Sequence, residues 1–312
     1  MRTYDQHTID SAGTYLVSEL ERLDRTLHLP LSSVTWNRDI DLRSDVTLAD
    51  EASSFLMTSF AAPGGITPGG KNWISGLATE IPGISVDSAK KSVPMRLWGM
   101  QLAWSLVELA RGEQLGRPID QQKTEGMRLK YNMDVDEMIY VGDTDLAATG
   151  LINNPNISPG PSTEEWDEET PAVTILADIN ALIETCWQQS AYAVCPTRLL
   201  LPPLKFGLLT QPVTAAGSRS ILNYVAEECL ANRINGRPLE IMPLKWLSGA
   251  GASNVDRAVC YTKSEQYVRY PMVPLQRTPV EYRGIHHLTT YYGTLGEVEF
   301  VYPETVAYMD GL

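Results

Sequence analysis

The sequence predicts an α+β protein built from dissimilar parts. Three observations predict it. A helix-patterned segment stands alone near the N-terminus, about sixty residues of short strands and Gly/Pro loops follow with no core of their own, and the C-terminal half alternates helical and strand periodicity before closing on sheet.

Each part has its own signal. Ile9, Ala12, Leu16, Leu20, Leu23 and Leu27 recur at spacings of three and four, a single apolar stripe on a helix capped by Asp10 and ended by Pro30. A stripe that narrow needs a partner surface, on its own domain or on a second copy. Val34, Trp36, Ile40, Leu42, Val46 and Leu48 fall in short alternating runs typical of strands. Residues 60–71 hold Pro63, Gly64, Gly65, Pro68, Gly69 and Gly70, a loop of special backbone angles, and Trp73, Ile74, Leu77, Ile81 and Ile84 follow without a period. An extended arm lying on neighbours explains such a stretch. Leu16, Leu20, Leu23, Trp36, Pro63, Gly64, Pro68 and Trp73 are its candidate contacts.

Trp98, Leu102, Leu106 and Leu109 predict a helix over 97–111, punctuated by Gly112 and Gly116. Pro118 suits the first turn of a further helix reaching Met138, whose Gln, Lys, Glu, Met and Arg content favours helix. The acidic run Glu164, Glu165, Asp167, Glu168 and Glu169 reads as solvated surface. A compact α/β unit follows: a helix from 170 carrying Val173, Leu176, Ile179, Ile183 and Cys186, a buried strand Arg198–Leu201, a helix with Ile221, Leu222, Val225 and Cys229, a turn at Asn235 and Gly236, and strands at 239–242 and 258–261. The sequence ends on a predicted hairpin, 288–292 against 297–302, turning through Gly293 and Gly296.

Composition narrows the function. A chain of 312 residues with 43% hydrophobic and 20% charged residues is long and apolar enough to fold. No apolar run reaches the length of a membrane span, and the polar N-terminus lacks a signal peptide's apolar core, so synthesis in a cytoplasm is expected. A net charge of −13 argues against general nucleic-acid binding, which needs clustered Lys and Arg. Cys186, Cys195, Cys229 and Cys260 form no metal-ligand spacing and are expected as buried, reduced thiols. There is no nucleophile elbow, Walker loop or zinc-protease motif. Gly249–Asn254 lacks the third glycine of a phosphate loop, and His286 and His287, adjacent on a strand, point to opposite faces. No catalytic, cofactor or metal site is expected.

Residues 139–157 carry the specific signal. A long helix leads into Tyr140, Val141, Gly142 and Asp143, and then Gly150, Leu151, Ile152, Asn153, Asn154 and Pro155. This resembles the end of the spine helix in Hong Kong 97-type major capsid proteins of tailed bacteriophages, and is similar to the encapsulins, nanocompartment shells of the same fold. Gly142, Asp143, Gly150, Leu151 and Asn153 are the matching positions. The resemblance implies an N-terminal arm (1–34), an extended loop (35–95), a peripheral domain with the spine helix (96–160), an axial α/β domain (161–282) and return strands of the peripheral domain (283–312). It implies a structural protein, not an enzyme, that assembles through homo-hexamers and homo-pentamers into an icosahedral virion shell enclosing double-stranded DNA without sequence-specific binding, with no cofactor and no membrane. Portal and decoration proteins are implied partners. The motif begins too early to leave room for a cleaved scaffolding segment, which implies a separate scaffold or none. Arg111, Arg117, Lys123, Arg128 and Lys130 near the spine meet acidic neighbours or stay solvated. An encapsulin shell, or less readily a soluble α/β enzyme, are the alternatives.

Overall fold

The computed structural model describes residues 30–61, 72, 83–114, 119–213 and 219–312. The predicted helix with Leu16, Leu20 and Leu23, the loop with Pro63, Gly64, Pro68 and Trp73, and Arg117 lie outside them. After one helical turn, Trp36–Asp39, come β1 (Asp41–Arg43), β2 (Ala52–Ala61), β3 (Ser85–Pro94) and β4 (Arg96–Ser105). The helices Leu106–Gln114 and Ile119–Tyr140 follow, then β5 (Gly142–Asp143), β6 (Ala148–Thr149) and β7 (Gly160–Pro161). Helix Ala172–Gln189 precedes β8 (Arg198–Leu201), and helices Ile221–Glu228 and Leu230–Asn235 precede β9 (Glu240–Pro243) and β10 (Arg257–Tyr261). The chain closes through β11 (Val268–Arg277), β12 (Glu281–Arg283), β13 (His286–Leu295), β14 (Glu299–Phe300) and β15 (Val306–Asp310).

A five-stranded sheet runs β7-β15-β10-β8-β9. Both its faces are covered, which is why Arg198–Leu201 and Arg257–Tyr261 are buried at every residue. One face packs Leu199, Leu201 and Cys260 against Ile175, Ile179 and Ile183 of the helix Ala172–Gln189. The other packs Leu200, Val259 and Tyr261 against Ile139, Tyr140 and Leu151 at the end of the long helix. A six-stranded sheet holds β1, β11, β12, β13, β14 and β4.

Four expectations change. Residues 96–105 are strand, not helix. Trp98 and Leu102 fit both periods, but Trp98, Met100, Leu102 and Trp104 together fit only period two, and ten paired residues on β13 settle it. Of the strands expected at 34–48, only Asp41–Arg43 forms, because Trp36–Asp39 winds into a turn held by a distant carboxylate described below. The turn expected at Asn235 and Gly236 is the end of a helix, with Gly236 left-handed at φ 67°, and it leads into β9. The closing hairpin is absent: β13 and β14 both pair with β11, the chain kinking between them at Gly296, whose N–H donates to Pro271 O at 3.0 Å. The boundary expected at 282 falls within a sheet, since β11 and β12 pair with β13, while the final strand β15 joins the five-stranded sheet. Long-range pairing decides these memberships, and local sequence carries no mark of it.

The four cysteines are unpaired and buried in the core of the five-stranded sheet's helical face. Burial pushes the Cys195 thiol up to about 11 and Cys260 well above the usual thiol range. The thiolate is the nucleophile. A chromogenic disulfide reagent near neutral pH is therefore expected to leave the native protein's thiols unlabelled over minutes and to titrate all four in denaturant. Fast labelling of native protein would mean that this core opens.

Candidate assembly site

The long helix ends in a closed knot of backbone. Three of its last four carbonyls, which a helix terminus leaves orphaned, are taken, Glu137 O by Val141 N–H (2.8 Å), Ile139 O by Leu151 N–H (2.8 Å) and Tyr140 O by Ile152 N–H (3.2 Å), and just past the helix Val141 O accepts from the Asn153 amide (2.7 Å). Asn153 also accepts from Gly150 N–H (2.7 Å), so one side chain binds both strands of the turn. Gly142 turns at φ +77°, and a Cβ there would sit 2.2 Å from Ala148 O. At Gly150 a Cβ would meet Tyr140 O at 2.1 Å. Asp143 accepts from Asp145 N–H (2.9 Å), and Leu151 is fully buried, its carbonyl accepting from the Tyr308 hydroxyl (2.6 Å). The five motif residues converge on one joint between the long helix and the five-stranded sheet.

Two buried carboxylates fasten the chain's early residues to this joint. Asp136, on the long helix, accepts the N–H groups of Thr35 (2.8 Å) and Trp36 (3.0 Å) and the Trp246 indole (2.7 Å). It thus caps the turn Trp36–Asp39 from a hundred residues away. Asp39 receives a two-pronged Arg38 (2.7 and 2.8 Å), Arg198 (3.1 Å) and the Tyr140 hydroxyl (2.5 Å), while its carbonyl accepts from Tyr261 (2.5 Å). Bonding to Asp39 holds the Arg38 guanidinium above its ordinary value, and burial, reinforced by Asp39, drives the Tyr140 phenol far up.

β2 and β3 form a ten-residue antiparallel ribbon that, among the described residues, joins no other sheet. Among the described residues its root is fixed by buried polar contacts. Ser53, buried, donates to buried Glu299, which Arg269 (2.6 Å) and Arg43 (3.4 Å) flank. Arg43 also donates to Ser54 O (3.1 Å), and its bond to exposed Asp45 lowers that carboxyl. Beyond the root, Leu56 is 69% exposed, Phe60 56% and Val86 57%.

Trp36, expected to meet a neighbour, is half-buried against its own chain's core. Lys123 and Lys130 pair within the chain, with Glu108 (2.9 Å) and Asp134. Asp39, Asp136 and Glu299, the residues that hold these parts together, were not among the sequence candidates. A lone acid beside an apolar segment was their only signal.

The family model for major capsid proteins matches residues 69–312. Among solved structures, the capsid of Myoviridae Phage XM1 is 17% identical, with a TM-score of 0.77 over 95% of this chain and 98% of that one. The capsid of an empty GTA particle computed with C5 symmetry is 13% identical, with a TM-score of 0.56 over 98% and 99%. A virus-like particle from Pyrococcus furiosus is 9% identical, with a TM-score of 0.53 over 88% and 92%. No curated protein matches. At these identities the likeness is one of fold, the phage-capsid fold that the turn motif implied.

Proposed function

Because the chain belongs to the major capsid protein family, whose model spans residues 69–312, we propose that this structural shell protein assembles through hexamers and pentamers into an icosahedral virion shell around double-stranded DNA. The ribbon carries the reading. A two-stranded ribbon is at best marginally stable alone in water, yet this one extends ten paired residues with Leu56, Phe60 and Val86 bare. A second copy supplies the missing cover, and repeated head-to-tail contacts close into rings. The ribbon and the segment before residue 35 form the reaching arm, and the five-stranded sheet faces the ring centres. The net charge of −13 suits a container better than a DNA-gripping protein. Scaffold, portal and decoration proteins are the further partners of this reading, and the host cytoplasm its place of assembly.

Electron microscopy of the purified protein, alone and with any co-expressed scaffold, is the test. Closed particles are the expected result. A protein that stays monomeric at high concentration under both conditions would overturn the reading, and particles that package a host enzyme in place of DNA would turn it toward a nanocompartment.

A further inference from the structure

Positive charge gathers at one place on a chain whose net charge is −13. At the root of the ribbon, Arg43 of β1, Arg269 of β11, Lys90 of β3 and Ser54, Phe55 and Leu56 of β2 line an open cleft of about 500 Å³. Lys91 stands over the Phe55 ring, its ammonium 6.0 Å from the centroid, and the Arg269 guanidinium faces the same ring at 5.8 Å. Among the described residues, the carboxylates bonded to this group are Asp45, which Arg43 meets at 2.6 Å, and Glu299, which Arg269 meets at 2.6 Å and Arg43 at 3.4 Å. Four cations thus gather around two carboxylates, an excess of two positive charges.

The donors that carry the excess are unoccupied. Arg43 is saturated by Asp45, Ser53, Ser54 O and Glu299. Arg269 commits its Nε to Glu299, and its two terminal amino groups have no acceptor among the described residues. Lys90 has no carboxylate partner there, and Lys91 has the ring face alone. Like charges this close repel, and the apolar walls supplied by Phe55 and Leu56 weaken the screening by water. An anion relieves that repulsion. A guanidinium fork fits two oxygens of an oxyanion, and an ammonium and the Ser54 hydroxyl can meet the others. A carboxylate matches one of the two excess charges, whereas a phosphate monoester carries about −1.5 to −2 near neutral pH and matches both.

We propose that the cleft at the ribbon root is a binding site for a phosphate group, free as inorganic phosphate or carried by nucleic acid. Bound there, the phosphate bridges Lys90 of the ribbon and Arg269 of the six-stranded sheet, and so fixes the direction in which the ribbon leaves the body.

Calorimetric titration of the unassembled full-length chain with inorganic phosphate, at constant ionic strength set by chloride, is the test. Binding is expected, weakened about tenfold or more in the double variant Lys90→Gln, Lys91→Gln and kept in Lys90→Arg, Lys91→Arg. Both lysines are exposed, so both variants should melt within a few degrees of the parent. A fluorescent DNA duplex followed by anisotropy distinguishes the sources. A salt slope of duplex affinity that falls by about 1–2 in the glutamine variant assigns the phosphate to nucleic acid, and an unchanged slope beside phosphate binding assigns it to the free ion. Equal phosphate affinity in parent and glutamine variant would overturn the proposal, and so would a parent that binds no phosphate. Tighter binding of a peptide spanning residues 161–171 would overturn it too, since the acidic run would then mark the cleft as a contact between copies. None of these readouts depends on particle formation, so the shell reading stands or falls separately.

Discussion

Gly150→Ala is expected to destabilise the protein by about 4 kcal/mol or more, enough to abolish soluble expression. An added Cβ would stand 2.1 Å from Tyr140 O, 2.3 Å from Tyr140 C and 2.6 Å from Val141 N. All three are backbone atoms in the last turn of the long helix, so no side chain can rotate away. Relief requires the segment at 148–152 to withdraw, which breaks the bonds from Leu151 and Ile152 to the helix's final carbonyls and pulls buried Leu151 from its core. Two other glycines calibrate the effect. Gly236 has φ +67° with nothing within 4 Å of its would-be Cβ, so Gly236→Ala should cost only the left-handed penalty of about 1 kcal/mol. Gly126 lies inside the long helix, exposed and with open space around it, and Gly126→Ala should stabilise by about 1 kcal/mol through helix propensity. Denaturant melts of the three variants give the order directly. A Gly150→Ala protein within about 1 kcal/mol of the parent would show that the helix end is not clamped as described.

That joint was legible in the sequence because its requirements are local. Gly142 must turn left-handed, Gly150 must touch backbone, and Asn153 must bridge two strands three and twelve residues away. The buried strands of the five-stranded sheet were legible for a related reason: with both faces covered, Leu199, Leu200 and Leu201 form an unbroken apolar run. The ribbon was legible only as a lack of core, since strands exposed on both faces leave no alternation to read. β4 misled because Trp98 and Leu102 satisfy two periods at once. The carboxylates were illegible. Asp136 meets its partners 100 and 110 residues away, and Glu299 meets Ser53 at a separation of 246. No window of sequence contains such pairs.

Asp39 is where that illegible chemistry matters most, and Asp39→Ala is expected to cost about 3–5 kcal/mol. The carboxylate is wholly buried, and the Arg198 side chain beside it is only 7% exposed. Removing Asp39 leaves that guanidinium and the Tyr140 hydroxyl without their buried acceptor, and the penalty for an unpaired buried charge exceeds the worth of the bonds lost. Glu240 also pairs with Arg198, but its side chain is 55% exposed. Solvent screens that contact, so Glu240→Ala should cost about 1 kcal/mol or less. The asymmetry is the test: equal losses in denaturant melts would mean that Arg198 is satisfied from the exposed side and that Asp39 is replaceable. Adding Arg198→Met to Asp39→Ala should recover part of the loss, because the stranded charge leaves with its partner. The consequence reaches past stability. Asp39 touches the early chain through Arg38, the long helix through Tyr140 and the five-stranded sheet through Arg198, so its loss unfastens three parts at one point. Amide exchange in Asp39→Ala should accelerate first at residues 35–43, before the sheet itself, since those residues are tied to the rest by Asp39, Asp136 and the short parallel pairing of β1 with β11. Under the proposed shell function, this fastening sets where the chain leaves the turn Trp36–Asp39 for the ribbon, and a ribbon launched from a loosened root would lose one fixed approach to the next copy.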